Sequence, residues 1–132
     1  MQRIVIIGAG AAGMMAAATI GKELKDKAEI YLVEKNAILG RKVIISGGGR
    51  CNVTTANNDK RSLMKAYPRG AKFLRYAMYE FSPQDVFDWF EEKEIALKYE
   101  GPKVFPKSND GKEITAMYDK LLKSYGVKVL LR

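Results

Sequence analysis

Gly8, Gly10 and Gly13 in the run GAGAAG, the carboxylate of Glu34, and the cluster Ser46-Gly47-Gly48-Gly49-Arg50-Cys51-Asn52 are the residues of this chain whose types and spacing can do chemistry. In a strand–turn–helix setting the first glycine permits the tight turn, the second lets backbone approach a pyrophosphate, and the third lets helix and strand pack closely. The helix that follows offers free N–H groups and a partial positive charge to phosphate. Glu34 stands where a carboxylate accepts the two hydroxyls of an adenosine ribose, and it disfavours a 2′-phosphate, an inference that the neighbouring Lys35 weakens slightly. Three consecutive glycines followed by Arg-Cys-Asn pack poorly and wrap backbone around a ligand well. The ligand implied is a dinucleotide.

The elements that must position these residues follow from the pattern. Gln2 to Ile7 is a β-branched run without polar alternation and reads as a central parallel strand buried on both faces. Residues 11 to 24 favour helix, and 29 to 34 form the next strand, so residues 2 to 34 make one βαβ unit of about 30 residues. From Lys35 to about Asn58 the sequence reads as a long ordered loop broken by Val43-Ile44-Ile45. A helix is expected around Phe73 to Phe81. A second starts at Ser82-Pro83 with Asp85 completing the cap. Short strands flank a turn at Gly101-Pro102, and Asp110 with Glu113 suggests another capping box. Ile114, Met117, Tyr118, Leu121, Leu122 and Tyr125 give the last helix an apolar face, Gly126 ends it, and 127–131 form a strand. A chain that stops on such a strand reads as a fragment of a longer protein.

Composition excludes several classes. The 132 residues suffice for one domain, and 47% hydrophobic with 29% charged residues rules out disorder and collagen-like repetition. A single cysteine cannot form an internal disulfide and fits a cytoplasmic, reducing setting. With no histidine, the commonest general base and metal ligand are missing, and no metal-ligand cluster or hydrolytic triad is present. Ile4 to Gly21 carries no charge, but Gly8, Gly10 and Gly13 interrupt it, so a membrane span is not expected. The net charge of +8 raises a polyanionic partner; scattered lysines with acids among them read instead as solvated helix faces. Tyr67, Phe73, Tyr76, Tyr79 and Trp89, at helical spacing, read as core and interface rather than as a stacking face for bases. Cys51 reads as a small residue fitted against the cofactor; the sharper alternative is a thiolate activated by Arg50.

IVIIGAGAAGMMAA, LVEKN, LGRKVIISGGGRCNVT and KVFPKS together resemble the HI0933-like family of flavoproteins, FAD-dependent oxidoreductases of the glutathione-reductase-type Rossmann superfamily, over essentially the whole chain. The resemblance implies that Gly8, Gly10, Ala12 and Gly13 meet the FAD pyrophosphate and Glu34 the adenosine ribose. It puts Arg41 and Lys42 beside the adenosine and phosphates, with Ser46 to Asn52 along the flavin side. Where the family has an arginine before Phe-Pro, this chain has Lys103, which loses a planar bidentate fork.

The expected architecture is α/β: a Rossmann-type FAD-binding βαβ unit with a parallel sheet, followed by a mainly helical segment. Residues 1–132 are taken as one incomplete FAD/NAD(P)-binding domain, with 59–112 a mainly helical insertion. The expected function is flavin-mediated hydride transfer between NADH, NADPH or a reduced substrate and a small organic acceptor, the 132 residues alone being inactive. No residue is assigned as catalytic acid or base. The expected partner is a small-molecule substrate, with neither nucleic acid nor membrane expected. The alternative, motivated by the charge, is an FAD-dependent RNA-modifying factor or a non-catalytic nucleotide-binding regulator.

Overall fold

The computed structural model describes residues 1–132. In chain order the elements are β1 (Gln2–Ile7), α1 (Ala11–Leu24), β2 (Ala28–Glu34), α2 (Arg41–Gly49), β3 (Thr54–Thr55), α3 (Lys60–Lys65), α4 (Ala71–Glu80), α5 (Pro83–Glu92), β4 (Leu97–Glu100), β5 (Lys103–Pro106), α6 (Gly111–Ser124) and β6 (Lys128–Leu131). The strands form a parallel sheet in the order β1-β2-β6 and a small antiparallel sheet in the order β3-β5-β4. Parallel register sets Ile4 beside Ile30 and Leu32 beside Val129.

α1 and α6 cover one face of the parallel sheet. Met14, Ala17 and Ala18 of α1 meet Ile30 and Leu32 of β2, and Ile114, Tyr118 and Leu122 of α6 close the same core. The alanines let α1 lie close to the strands. The other face of the sheet is bare, and Ile7 is 87% exposed with Val5 and Leu130 beside it. β1 is therefore an edge strand with one buried face, not the doubly buried central strand its β-branched run implies; β2 holds the centre. A β-branched run specifies extended backbone, and the number of faces covered depends on which helices pack there.

Three local expectations are corrected. The stretch taken as a long loop contains a turn and a half of helix, Arg41 to Ile45, before the backbone breaks at Ser46. This short helix is held from outside: a Cβ on Gly111 would lie 2.7 Å from the Ile44 carbonyl oxygen, so only glycine lets α6 begin there. At the start of α6 Asp110 accepts the Lys112 N–H at 2.9 Å, but the Glu113 carboxylate takes the Ser108 hydroxyl, so the box is one-sided. The reciprocal box at Ser82 and Asp85 does form. Finally, Phe73, Tyr76 and Tyr79 are not core: they are 87%, 74% and 56% exposed. Of the aromatics read as core, Trp89 packs inward, against Phe90 and Tyr118.

Gly40 joins the two halves of the site. Its N–H donates to the Ala9 carbonyl at 2.8 Å, and its φ of 60° lies in the left-handed region. A Cβ there would sit 2.6 Å from Thr115 Cγ2 and 2.9 Å from Met14 Cε. Gly40→Ala is expected to cost about 1–3 kcal/mol from left-handed strain plus overpacking. Urea denaturation checks this; an unchanged midpoint would show that the turn relaxes freely.

Candidate functional site

The glycine turn does three separate things in three dimensions. Gly8 leaves β1 with φ of 97° and donates its N–H to the Val33 carbonyl at 2.7 Å. A Cβ on Gly10 would meet nothing within 4 Å, so the space over the turn is open. A Cβ on Gly13 would lie 1.8 Å from the Gly8 carbonyl oxygen, a distance no side chain tolerates. Gly13 is thus where helix and strand touch.

α1 starts at Gly10 with no side-chain cap and no acidic residue in its first turn. Its first amides, those of Ala11 and Ala12 among them, have no carbonyl one turn earlier within the helix and face outward. By contrast α3, α5 and α6 are capped by Asp59, Ser82 and Asp110. An uncapped N-terminus beside two cations is a site for an anion.

Glu34 is held as a fixed acceptor. Its Oε2 accepts the Ala9 N–H at 2.8 Å; its Oε1 accepts the Asn36 N–H at 2.9 Å and the Asn36 Nδ2 at 2.7 Å. The Ala9 N–H first, then Asn36, hold its carboxyl below the usual carboxylate range. A carboxylate accepts about four hydrogen bonds, so capacity remains for hydroxyls approaching from the cleft. That cleft, about 610 Å³, is lined by Ala9, Gly10, Glu34, Lys35, Asn36, Arg41, Lys42 and Ile45. Carboxylate, open glycine and three basic residues, Lys35, Arg41 and Lys42, thereby meet on one wall. Asn36 and Ile45 are additions that the motif does not reveal.

The Ser46 to Asn52 segment adopts an unusual path. Ser46 is extended, and Gly47, Gly48 and Gly49 have φ of 57°, 69° and 86°, followed by Cys51 at 60°. Successive left-handed residues turn the chain sharply, which the glycines allow and other residues resist. Gly47 is packed tightly under Asn52 and Phe105, whereas Gly48 and Gly49 have open space where a Cβ would be. Asn52 Oδ1 accepts the Val104 N–H at 3.2 Å and ties the segment to β5. Ser46 donates its hydroxyl to the Val43 carbonyl.

Arg50 does not join Arg41 and Lys42. Its guanidinium pairs with Glu100 at 2.8 Å and lies over the Phe105 ring at 4.0 Å. Cys51 is buried, and desolvation pushes its thiol up, with the nearby Ser46 side chain opposing this only in part. It lines a cavity of about 220 Å³ with Met14, Val53, Phe90 and Tyr118. The activated-thiolate alternative thus lacks its cation, while a small residue fitted into a tight turn agrees with the geometry. Iodoacetamide should react with native Cys51 more slowly than with a free thiol at pH 8, and at the free-thiol rate after unfolding; a faster native rate would restore the thiolate.

The family model described as HI0933-like protein Rossmann domain matches residues 2–132. Over 129 residues the chain is 26% identical to the 3-dehydro-bile acid delta(4,6)-reductase of Clostridium scindens, covering 98% of this chain and 31% of that protein. Over 92 residues it is 34% identical to the ribosomal RNA dihydrouridine synthase of Escherichia coli, covering 70% of this chain and 22% of that protein. The chain thus spans a third or less of these relatives. The fold also matches the crystal structure of Thermovibrio ammonificans THI4, with a TM-score of 0.56 at 12% identity, over 98% of this chain and 38% of that one.

Proposed function

The chain belongs to the HI0933-like Rossmann-domain family, and from that premise we propose that it forms the FAD-binding wall of a flavoprotein oxidoreductase. The observation that carries this reading is the clamped Glu34 carboxylate beside the uncapped start of α1, in a cleft bordered by Lys35, Arg41 and Lys42. Those residues fit an adenosine diphosphate moiety by chemistry: hydroxyl acceptor, pyrophosphate donors and countercharge.

Gly10, Ala11, Ala12 and Gly13 hold the pyrophosphate with backbone amides, Glu34 holds the ribose hydroxyls, and Arg41 and Lys42 neutralise charge at the mouth. Gly48 and Gly49 present bare backbone to the flavin end. The flavin, when bound, supplies hydride-transfer chemistry, as cofactors of this class do. The same proposal treats residues 1–132 as one FAD/NAD(P)-binding domain with 59–112 as an insertion, in a cytoplasmic enzyme. No helix is long and apolar enough to cross a membrane.

For the whole protein the substrate reading is reduction of a carbon–carbon double bond in a small organic acceptor, with NADH or NADPH as reductant. The two relatives' names support that step, one being a delta(4,6)-reductase and the other forming dihydrouridine. The second name also favours a second reading, in which the double bond belongs to a uracil in RNA. Anaerobic bleaching of the purified protein's yellow colour by NADH or NADPH, followed by its return on adding a conjugated enone or a uridine-containing RNA, tests the reading and separates the two acceptors. A colour that neither nucleotide bleaches would overturn the proposed reductant.

A further inference from the structure

Helical spacing alone would place Phe73, Tyr76 and Tyr79 in the core, yet all three stand in solvent on α4, spaced i, i+3 and i+6. α4 buries none of its ten residues. The same stretch of chain, 59–81, carries Lys60, Arg61, Lys65, Arg69, Lys72 and Arg75, all exposed. Against these six cations the segment 59–81 has only Asp59 and Glu80, a net +4 out of the chain's +8. Asp59 is engaged in capping α3 through the Ser62 N–H. None of the six cations has a carboxylate partner within 4 Å, whereas Arg3, Arg50, Lys93, Lys98, Lys123 and Lys128 do. Lys60 Nζ sits 3.4 Å from the Tyr79 ring centroid and fixes α3 beside α4.

We propose that α3 and α4 together form a docking surface for single-stranded RNA. The unpaired cations neutralise phosphates, and Phe73 and Tyr76 supply stacking platforms for unpaired bases. Aromatic faces interleaved with cations are what sequence-tolerant binding of single strands requires, and Glu80 is the one carboxylate of the segment not engaged in a cap. An apolar protein partner would leave six desolvated charges unanswered, whereas a polyanion answers them and releases counterions. The proposal rests on the RNA reading of the substrate given above, and it adds where the strand is held.

The test is fluorescence anisotropy of a labelled, uridine-containing single-stranded RNA of about 12 nucleotides with the complete gene product at ~0.15 M salt. Phe73→Ala with Tyr76→Ala should weaken binding by about tenfold or more, since stacking disappears at two positions. Lys72→Gln with Arg75→Gln should make the slope of log K against log salt shallower by roughly 0.7 for each phosphate that is no longer neutralised. Flavin content and circular dichroism should not change in either variant. A yellow, folded protein that binds no RNA, or binds it unaltered by both variants, overturns the docking surface and leaves the flavin reading standing. Variants that lose fold or change oligomeric state while RNA affinity holds also overturn it, because α4 is then a protein-covered face. Binding to anionic vesicles without binding to RNA does the same. Absence of flavin in an RNA-binding protein would sink the flavin reading alone.

Discussion

Gly13→Ala should abolish flavin retention and lower the stability of the protein by about 3 kcal/mol or more, the upper end of what overpacking costs when the obstacle cannot rotate away. The added Cβ would stand 1.8 Å from the Gly8 carbonyl oxygen, so the obstacle is backbone. Relief requires α1 to slide from β1 or the Gly8 turn to open. Either movement displaces the amides of Ala11 and Ala12 from the pyrophosphate position, and either disturbs Ala9, which donates to Glu34 and accepts from Gly40. One methyl group therefore reaches every part of the nucleotide cleft. Gly10→Ala is the informative contrast: its Cβ meets nothing, so folding should be unaffected while FAD affinity falls. Denaturant unfolding alongside flavin content separates the two variants, and equal stability losses would refute the division of labour between these glycines.

Glu34→Gln should weaken FAD binding by roughly 10- to 100-fold, the effect of removing charge-assisted bonds to ribose while leaving a mismatched donor behind. The Ala9 N–H, the Asn36 N–H and the Asn36 amide all donate to the carboxylate, and a glutamine amide nitrogen turned toward any of them opposes donor to donor. Glu34→Asp keeps the charge but withdraws it by a methylene, so it should recover only part of the affinity. A pH dependence follows. Because the folded carboxyl titrates below its ordinary value, its contribution is complete above that ordinary value and is lost as pH falls through the lower folded one. FAD affinity should thus be flat with respect to this group from neutrality down to about pH 5, and decline only in more acid solution. A decline centred near neutrality would point to another group.

How much of this was legible depended on whether the deciding interaction was local. The βαβ unit, the Ser82 cap and the apolar face of α6 rest on spacing within a few residues, and each is present. The cleft's motif residues were legible for the same reason. Asn36 is the exception: its bonds to Glu34 span only two residues, but an asparagine after a strand ordinarily reads as a turn. α2 was missed because Arg41 to Ile45 is too short to be helical by propensity and is held by the seat at Gly111. The pairing of Arg50 with Glu100, which takes the guanidinium away from Cys51, was not legible because the two lie fifty residues apart in sequence. The aromatic stripe of α4 shows the limit of periodicity: it reports that one helix face is apolar, and says nothing of what covers it.

In the proposed function this chain grips the adenosine diphosphate half of a flavin dinucleotide. Titrating flavin-stripped gene product with FAD and with FMN, which lacks the adenylate, tests it most directly by flavin fluorescence. FAD should bind with ADP as a competitor, and FMN should bind more weakly by about 100-fold or more, since FMN engages neither Glu34 nor much of the amide cradle. Equal affinity for FMN and FAD, or failure of ADP to compete, would contradict it.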